Sequence, residues 1–516
     1  MSDFISAIAK GAHWLQPNVS VTENGAIGRE TTGKALLDLN FMLSSMRNMG
    51  EEEIWHRFLL AYNENPTLAI IWLFFARDAR EGCGERRTFR MIFVHFCNEN
   101  PDFAIKLLPL IPFYGRWDDL IEVVFAYVPC NVRDAALKVL NKQIQSDILM
   151  ANTKQPVSLL AKWLPSLNTS SRKTRRRAEF LREAFSWTPK QYRKNLSGLR
   201  QRIKVVEQKM SANEWGQIDY EGVPSRAAMN YRNAFERHDT ERYYEYLKNV
   251  KEGSAKINSG VLFPYDIVHA YFGDGRIHRV DETLEEQWKA LPNNVPENQS
   301  TLVVVDGSGS MCSHVGGTKV SCHDIARSLG IYFAEKLSGP YYNSFITFSE
   351  NPKFVHFADG LTLNAKLKII ESYTECSNTN IEKTFDLILD TAVRNHLDQS
   401  EIPANILIIS DMEFDEATCE GWGWKSRHVD QTLFDTITDK WEAHGYKLPR
   451  LVFWNVCSRT GTIPVTTNDF GVALVSGFSP NIADMVMSSE LDPYKCLLNK
   501  LLSGRYLQVE AALRSE

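Results

Sequence analysis

Residues 301–311 read TLVVVDGSGSM, and the fold of the second half of the chain turns on them. Leu302, Val303, Val304 and Val305 form an unbroken apolar run, the pattern of a central parallel strand buried on both faces. Asp306 ends the run, and Gly307 and Gly309 then permit a tight turn. Such a turn aims the oxygens of Asp306, Ser308 and Ser310 into one small volume. One carboxylate and two hydroxyls are hard ligands, suited to Mg2+ or Mn2+ with water completing an octahedron. Taken alone, the same text also reads as a plain Gly/Ser turn after a strand.

Two later stretches extend the pattern. Residues 376–380, CSNTN, precede a helix-like run at 381–394 and bring the hydroxyl of Thr379. Residues 405–411, NILIISD, form a second buried-strand run that ends on Ser410 and Asp411. Ligands at the carboxyl ends of separate strands suit a site on an open α/β sheet. The set Asp306, Ser308, Ser310, Thr379 and Asp411 is the pattern of a metal-ion-dependent adhesion site, and here the sequence resembles the von Willebrand factor A (vWA) domain. That resemblance implies a Rossmann-like α/β fold and one Mg2+ (or Mn2+) held by those five residues. It also implies a protein partner that presents a carboxylate to the metal. The sequence departs from the family pattern where the Gly that usually follows the last Asp is Met412. Asp415, close behind, is a candidate outer-shell ligand acting through water.

The remaining text of this half alternates. A helix is predicted at 322–337, strands at 344–349 and from Phe354, a helix from Ile381, and another at 432–443. Strands from Arg450 and Gly471 and short helices from Asn481 and Pro493 complete it. Such alternation predicts a mostly parallel sheet covered on both faces. Cys312, His314, Cys322 and His323 cluster here, but their spacing is not that of a zinc finger, and zinc is not expected.

The first half reads differently. Residues 1–33 look like an irregular leader, broken by Pro17, Asn24, Gly25 and Gly28. From Lys34 onward KALLDLNFMLSSM, EEEIWHRFLLAYN, PTLAIIWLFFARDA, TFRMIFVHFCNEN and PDFAIKLLPLIPF follow one another with apolar spacing of three and four. This predicts an all-α, HEAT-like stack over residues 34–291. Residues 292–300, containing PNNVPENQ, read as a linker into an α/β domain at 301–516.

The net charge of −5 conceals an asymmetry. Residues 171–210 carry 13 Lys or Arg against 3 Glu, whereas residues 301–420 carry 8 basic against 17 acidic residues. The second balance fits a domain built round a cation. In the first block Arg172, Lys173, Arg175, Arg176 and Arg177 fall within six residues, followed by Lys190, Arg193 and Lys194 with Trp187 and Tyr192 interleaved. That spacing supports phosphate neutralisation with some stacking; an acidic protein partner and a merely solvated face are the other readings. Residues 76–87, ARDAREGCGERR, offer Arg77, Arg80, Arg86 and Arg87 around Gly82 and Gly84. These arginines either line a nucleic-acid surface or pair with Asp78, Glu81, Glu85, Asp118 and Asp119 in tight turns.

A helical region followed by a vWA domain resembles the TROVE architecture of the Ro RNA-binding autoantigens. GCGERRTF, YGRWDDL, LAKWLPS and VDGSGSM are similar to motifs of an uncharacterised family with that layout. The resemblance implies a ribonucleoprotein whose helical half holds RNA and whose metal holds a partner. A Mg2+-dependent protein scaffold or structural protein without RNA is the alternative, and a metal-dependent phosphohydrolase is a third reading. No P-loop, H-E-x-x-H or nucleophile elbow occurs, so an enzyme is not expected. No stretch approaches the ~20 apolar residues that span a bilayer. No secretory h-region is present, and the nine cysteines form no C-x-x-C pair. A cytoplasmic setting without membrane contact is therefore expected.

Overall fold

The computed structural model describes residues 18–272, 279–295, 300–316, 318–348, 351–373, 380–415, 433–464, 472–486 and 492–514. Two compact units form, and neither is a single run of sequence. Residues up to Ala69 join Leu262–Leu502, and Ile70–Val261 join the stretch from Ser503 onward. The linear division expected at residues 292–300 therefore differs from the observed one at both ends of the chain.

The first unit holds a six-stranded sheet. A ribbon of β1 (Ser20–Val21) and β2 (Ile27–Gly28) precedes it in sequence, so part of the expected leader is ordered. The sheet strands are β3 (Thr301–Asp306), β4 (Ser344–Phe348), β5 (Lys353–His356), β6 (Asn405–Ser410), β7 (Arg450–Asn455) and β8 (Val472–Ser476). Their order is β5-β4-β3-β6-β7-β8, parallel throughout except for β5 at the edge. The chain leaves β3 toward β4 and β5 and returns to β6 on the other side. The β3/β6 boundary is thus the point where strand order reverses, where open α/β sheets place their ligands. All six residues of β3 are buried, as an apolar run in a central parallel strand requires. Helix Cys322–Lys336 lies against β3 so closely that a Cβ on Gly330 would sit 2.5 Å from Val305 Cγ2.

The N-terminal segment belongs to this unit because it closes apolar surface at the β7–β8 end. Helix Ala35–Phe41 buries Leu36, Leu37, Leu39 and Phe41 completely and packs on β8. Burying each such side chain stabilises by about 1.5–3 kcal/mol. Polar ties then fix its register. Ser44 N donates to Ser476 Oγ at 2.9 Å, Ser44 Oγ donates to the Asn455 carbonyl at 2.9 Å, and Asn455 Nδ2 donates to the Phe41 carbonyl at 2.9 Å.

Among its described residues the second unit is helical. Pro101 and Pro189 open helices Pro101–Leu107 and Pro189–Arg202, where a missing N–H costs nothing. Thr188 and Gln191 form a capping box on the second of these. The long helix Cys130–Asn152 buries Val132, Ala136, Leu140 and Ile144, a stripe at four-residue spacing. The segment after Ser503 docks through Arg505, whose Nε lies 2.8 Å from Asp78 Oδ2, and through Tyr506, stacked on Tyr114 at 5.6 Å.

Candidate metal centre

The carboxyl ends of β3 and β6 bring Asp306 and Asp411 together at the reversal of strand order. Asp306 closes β3 and is 1% exposed; Asp411 follows β6 and is fully buried. The turn after β3 folds back on its own carboxylate. Ser308 N donates to Asp306 Oδ1 at 2.9 Å, and the hydroxyls of Ser308 and Ser310 lie 3.0 Å apart. The Ser310 side chain lies near enough to Asp411 to favour its ionised form. Ser410 Oγ donates to Asp306 Oδ2 at 2.6 Å, a contact that sequence reading had not assigned. Asp306, Ser308, Ser310 and Asp411 thus form one continuous cluster. Thr379 lies outside the described residues.

The cluster is only weakly compensated by positive charge: the guanidinium of Arg459 lies 3.6 Å from Asp411 Oδ2, beyond a hydrogen bond. Asp411 Oδ2 is buried with no hydrogen-bond partner. Burial, and then the charge of Asp306, pushes the Asp411 carboxyl up to about 7. Burial pushes Asp306 up to about 6, against the lowering effect of hydrogen bonds from Ser410 and Ser308; Asp415 adds repulsion. Asp415 is placed by a backbone bridge to Gly25 on the N-terminal segment. Two buried carboxylates, one with an orphan oxygen, and two hydroxyls fit a hard divalent cation. Elsewhere among the described residues no three His, Cys, Asp or Glu side chains gather as a metal-binding group, nor do three gather here, since half the donors are hydroxyls.

Met412 shows how this loop tolerates the missing glycine. Its φ is +64°, the left-handed region that glycine favours. The side chain is buried, and Met412 N donates to Ser410 Oγ at 2.9 Å. The backbone keeps the turn a glycine would make, and the Met side chain fills space beneath it. Behind the first turn, burial pulls the imidazole of His323 down to about 3, so it is neutral at physiological pH. Cys312 Sγ and His323 Nδ1 are 3.8 Å apart, but Cys322 is turned toward Ser313 and Cys457, and the four residues do not converge as a zinc site would need.

Two neighbours were missed in the sequence. Arg459, just after β7, places Nη2 3.6 Å from Asp411 Oδ2 and 2.7 Å from Glu23 Oε2 on the N-terminal ribbon. Glu413, fully buried, accepts backbone N–H bonds from Arg459 at 2.8 Å, Thr460 at 2.9 Å and Glu23 at 2.9 Å. Arg459 carried one usable signal: it directly follows a strand of an α/β sheet, and so belongs to the functional edge.

The basic residues of the helical unit divide into two groups. Arg172, Lys173, Arg175 and Arg176 are exposed on helix Arg172–Ala184, and Lys190, Arg193 and Lys194 are exposed on helix Pro189–Arg202. Arg172, Arg175 and Arg176 line a shallow groove with Phe180, Glu179 and Glu183. Arg177 belongs to the scaffold instead: it grips Glu122 with two bonds of 2.6 and 3.0 Å and lies 4.6 Å over the Phe125 ring. The arginines near Gly82 also serve local structure. Arg80 Nη1 donates to the Phe113 carbonyl at 2.6 Å, and Arg86 sits 3.7 Å from Asp118; Arg87 is exposed.

Comparison with known proteins gives two matches to family profiles and one full-length relative. Residues 300–495 match a family described as Domain of unknown function (DUF7788), and residues 171–301 match Domain of unknown function (DUF2828). The two meet where β3 begins. The chain is also similar to "Uncharacterized protein L728" of Acanthamoeba polyphaga mimivirus, 29% identical over 520 residues, covering 94% of this chain and 87% of the relative. No described helix is long and apolar enough to cross a membrane.

Proposed function

We propose that this chain is a metal-dependent interaction protein. In this reading its α/β unit is a vWA-type module that holds Mg2+ or Mn2+ through Asp306, Ser308, Ser310 and Asp411, with Thr379 as a further ligand and Asp415 acting through water. The observation that carries the reading is the pair of buried carboxylates at the β3/β6 reversal, with Asp411 Oδ2 left without a hydrogen bond. Hydroxyl-rich coordination keeps the cation electrophilic, and a bound Mg2+ or Mn2+ would supply a Lewis-acidic point for a partner's carboxylate. Calorimetric titration of the full chain with MgCl2 tests this: one site per chain is expected, abolished in Asp306→Ala. Equal Mg2+ affinity in that variant overturns the assignment.

The helical unit supports a second part of the reading, RNA binding in the manner of Ro ribonucleoproteins. Its support is the exposed row of Arg172, Lys173, Arg175, Arg176, Lys190, Arg193 and Lys194. Phosphate contacts of that number give an affinity that falls about tenfold or more between roughly 50 and 200 mM salt. Absence of salt-sensitive binding to a mixed RNA pool leaves the metal-dependent protein scaffold as the function. Neither part requires bond-breaking chemistry, and the chain is read as a non-enzyme.

A further inference from the structure

We propose that Arg459 is a tethered competitor for the divalent cation, and that Glu23 on the N-terminal ribbon sets how strongly it competes. This rests on the metal reading above and adds the device that regulates occupancy of that site. The guanidinium lies 3.6 Å from Asp411 Oδ2, the oxygen without a hydrogen bond. At that distance it lends charge to Asp411 but does not satisfy its lone pairs. Its contact with Glu23 Oε2, at 2.7 Å, is a true charge-assisted hydrogen bond. One arginine thus stands between two carboxylates and is committed to the one on the ribbon.

The backbones on either side are fixed by a single buried group. Glu413 Oε1 accepts Arg459 N at 2.8 Å and Thr460 N at 2.9 Å, while Glu413 Oε2 accepts Glu23 N at 2.9 Å. Thr22 Oγ1 also donates to the Phe414 carbonyl at 2.6 Å, and Asn24 Nδ2 to the Glu413 carbonyl at 2.7 Å. With both main chains held, only the two side chains are free to rearrange. Arg459 is 35% exposed and Glu23 56%, so both reach solvent and can move without disturbing the core.

A divalent cation entering between Asp306 and Asp411 repels a guanidinium a few ångströms away. The arginine then withdraws toward Glu23, to which it is already bonded. Arg459 therefore opposes cation entry, and Glu23 relieves the opposition by giving the displaced charge a place to go. Removing the two partners changes affinity in opposite directions, and the dependence of the Glu23 effect on Arg459 separates this device from the plain Coulomb effect of each charge.

The test is calorimetric titration of the full chain with MgCl2 alone, after EDTA treatment and dialysis. Arg459→Gln is expected to tighten Mg2+ binding by about two- to fivefold, the range for a partly exposed charge pair. Glu23→Gln is expected to weaken it by a similar factor, and Arg459→Lys, which keeps the charge, gives no tightening. In the Glu23→Gln/Arg459→Gln double variant the effect of Glu23→Gln disappears. Thermal melts in EDTA accompany each titration, and Arg459→Met replaces Arg459→Gln in the single and double variants should the latter fold poorly. Wild-type Mg2+ binding with Arg459→Gln unchanged or weaker overturns the inference, as does a Glu23→Gln effect that persists without Arg459. A wild-type chain that takes up no Mg2+, or an Asp411→Asn variant that binds as wild type, overturns the metal reading itself.

Discussion

Among the described residues, two pairs of buried carboxylates are treated in opposite ways. In the helical unit Asp119 is fully buried and fully compensated. Arg77 contacts it at 2.8 and 2.6 Å, Arg90 at 2.7 Å, and Arg116 N donates to it at 2.9 Å. Asp78 is likewise buried against Arg505 and accepts Arg80 N at 3.0 Å. In the α/β unit Asp306 and Asp411 are just as buried, yet they face hydroxyls, each other, and one arginine at 3.6 Å. A carboxylate whose counter-charge is covalently part of the fold holds structure together. One whose counter-charge stands 3.6 Å off, too far for a hydrogen bond and shared with another carboxylate, is poised to receive more from outside.

The largest expected effect is on the compensated set. Asp119→Ala leaves Arg77, 2% exposed, without its partner, and destabilisation of about 3–5 kcal/mol is expected in denaturant unfolding. Gly115 is tied to the same node, since a Cβ there would fall 2.5 Å from Asp119 Oδ2. A loss below about 1 kcal/mol in Asp119→Ala breaks the contrast, because the arginines would then not depend on that carboxylate.

The second effect concerns pH and has the opposite sign from that of an ordinary ion pair. Asp306 and Asp411 have carboxyls raised to about 6 and about 7, above their unfolded value of 3.8. Stability from such groups is full below the unfolded value and is lost as pH rises through about 6 and 7, where the fold must ionise two adjacent buried groups. The charged and titrating neighbours are Asp415, Glu413 and Arg459, with Ser308 and Ser410 as hydrogen-bond donors and Ser310 near Asp411. In EDTA, wild type is expected to lose on the order of 1 kcal/mol or more between pH 5 and pH 8 relative to Asp411→Asn. Saturating Mg2+, at a hundred times its Kd, restores about 2.7 kcal/mol at pH 8. Parallel melting curves for the two proteins across this range contradict the account.

How much of this was legible in the sequence follows from contact distance along the chain. The β3 run, its Gly/Ser turn and the β6 run with Asp411 are local patterns, and each strand and most helices of the sheet unit fall where alternation placed them. The compensation is not local. The pairing of Arg77 with Asp119 is one of two readings open in the sequence, but Asp78 finds Arg505 across 427 residues and Glu413 finds Glu23 across 390. No periodicity reports such pairs, and none marks Arg177 within the basic block as the residue held by Glu122, 55 residues earlier. The same blindness hid the composition of the units. Nothing in ALLDLNF says that its apolar faces are shared between the next helix and β8.

The third and smallest effect on stability concerns charge that is neither buried nor paired with a carboxylate. Arg175 and Arg176 are exposed, and the Arg175 guanidinium donates to the Thr169 carbonyl. Replacing both with Glu is expected to leave melting within about 0.5 kcal/mol of wild type. The same variant should weaken RNA retention on filters by about tenfold at low salt. Arg177→Ala sharpens the division: it should cost about 1 kcal/mol of stability through Glu122, and change RNA retention less than the double replacement.

The central claim is that the weakly compensated carboxylates hold a divalent cation, and diffraction from crystals soaked in MnCl2 tests it most directly. An anomalous peak is expected within about 2.1–2.3 Å of a hydroxyl oxygen of Ser308 or Ser310, bounded by Asp306 and Asp411, with the Arg459 guanidinium withdrawn toward Glu23. Saturating Mn2+ with no peak at that position, or Arg459 still seated on Asp411 beside a bound ion, contradicts the account.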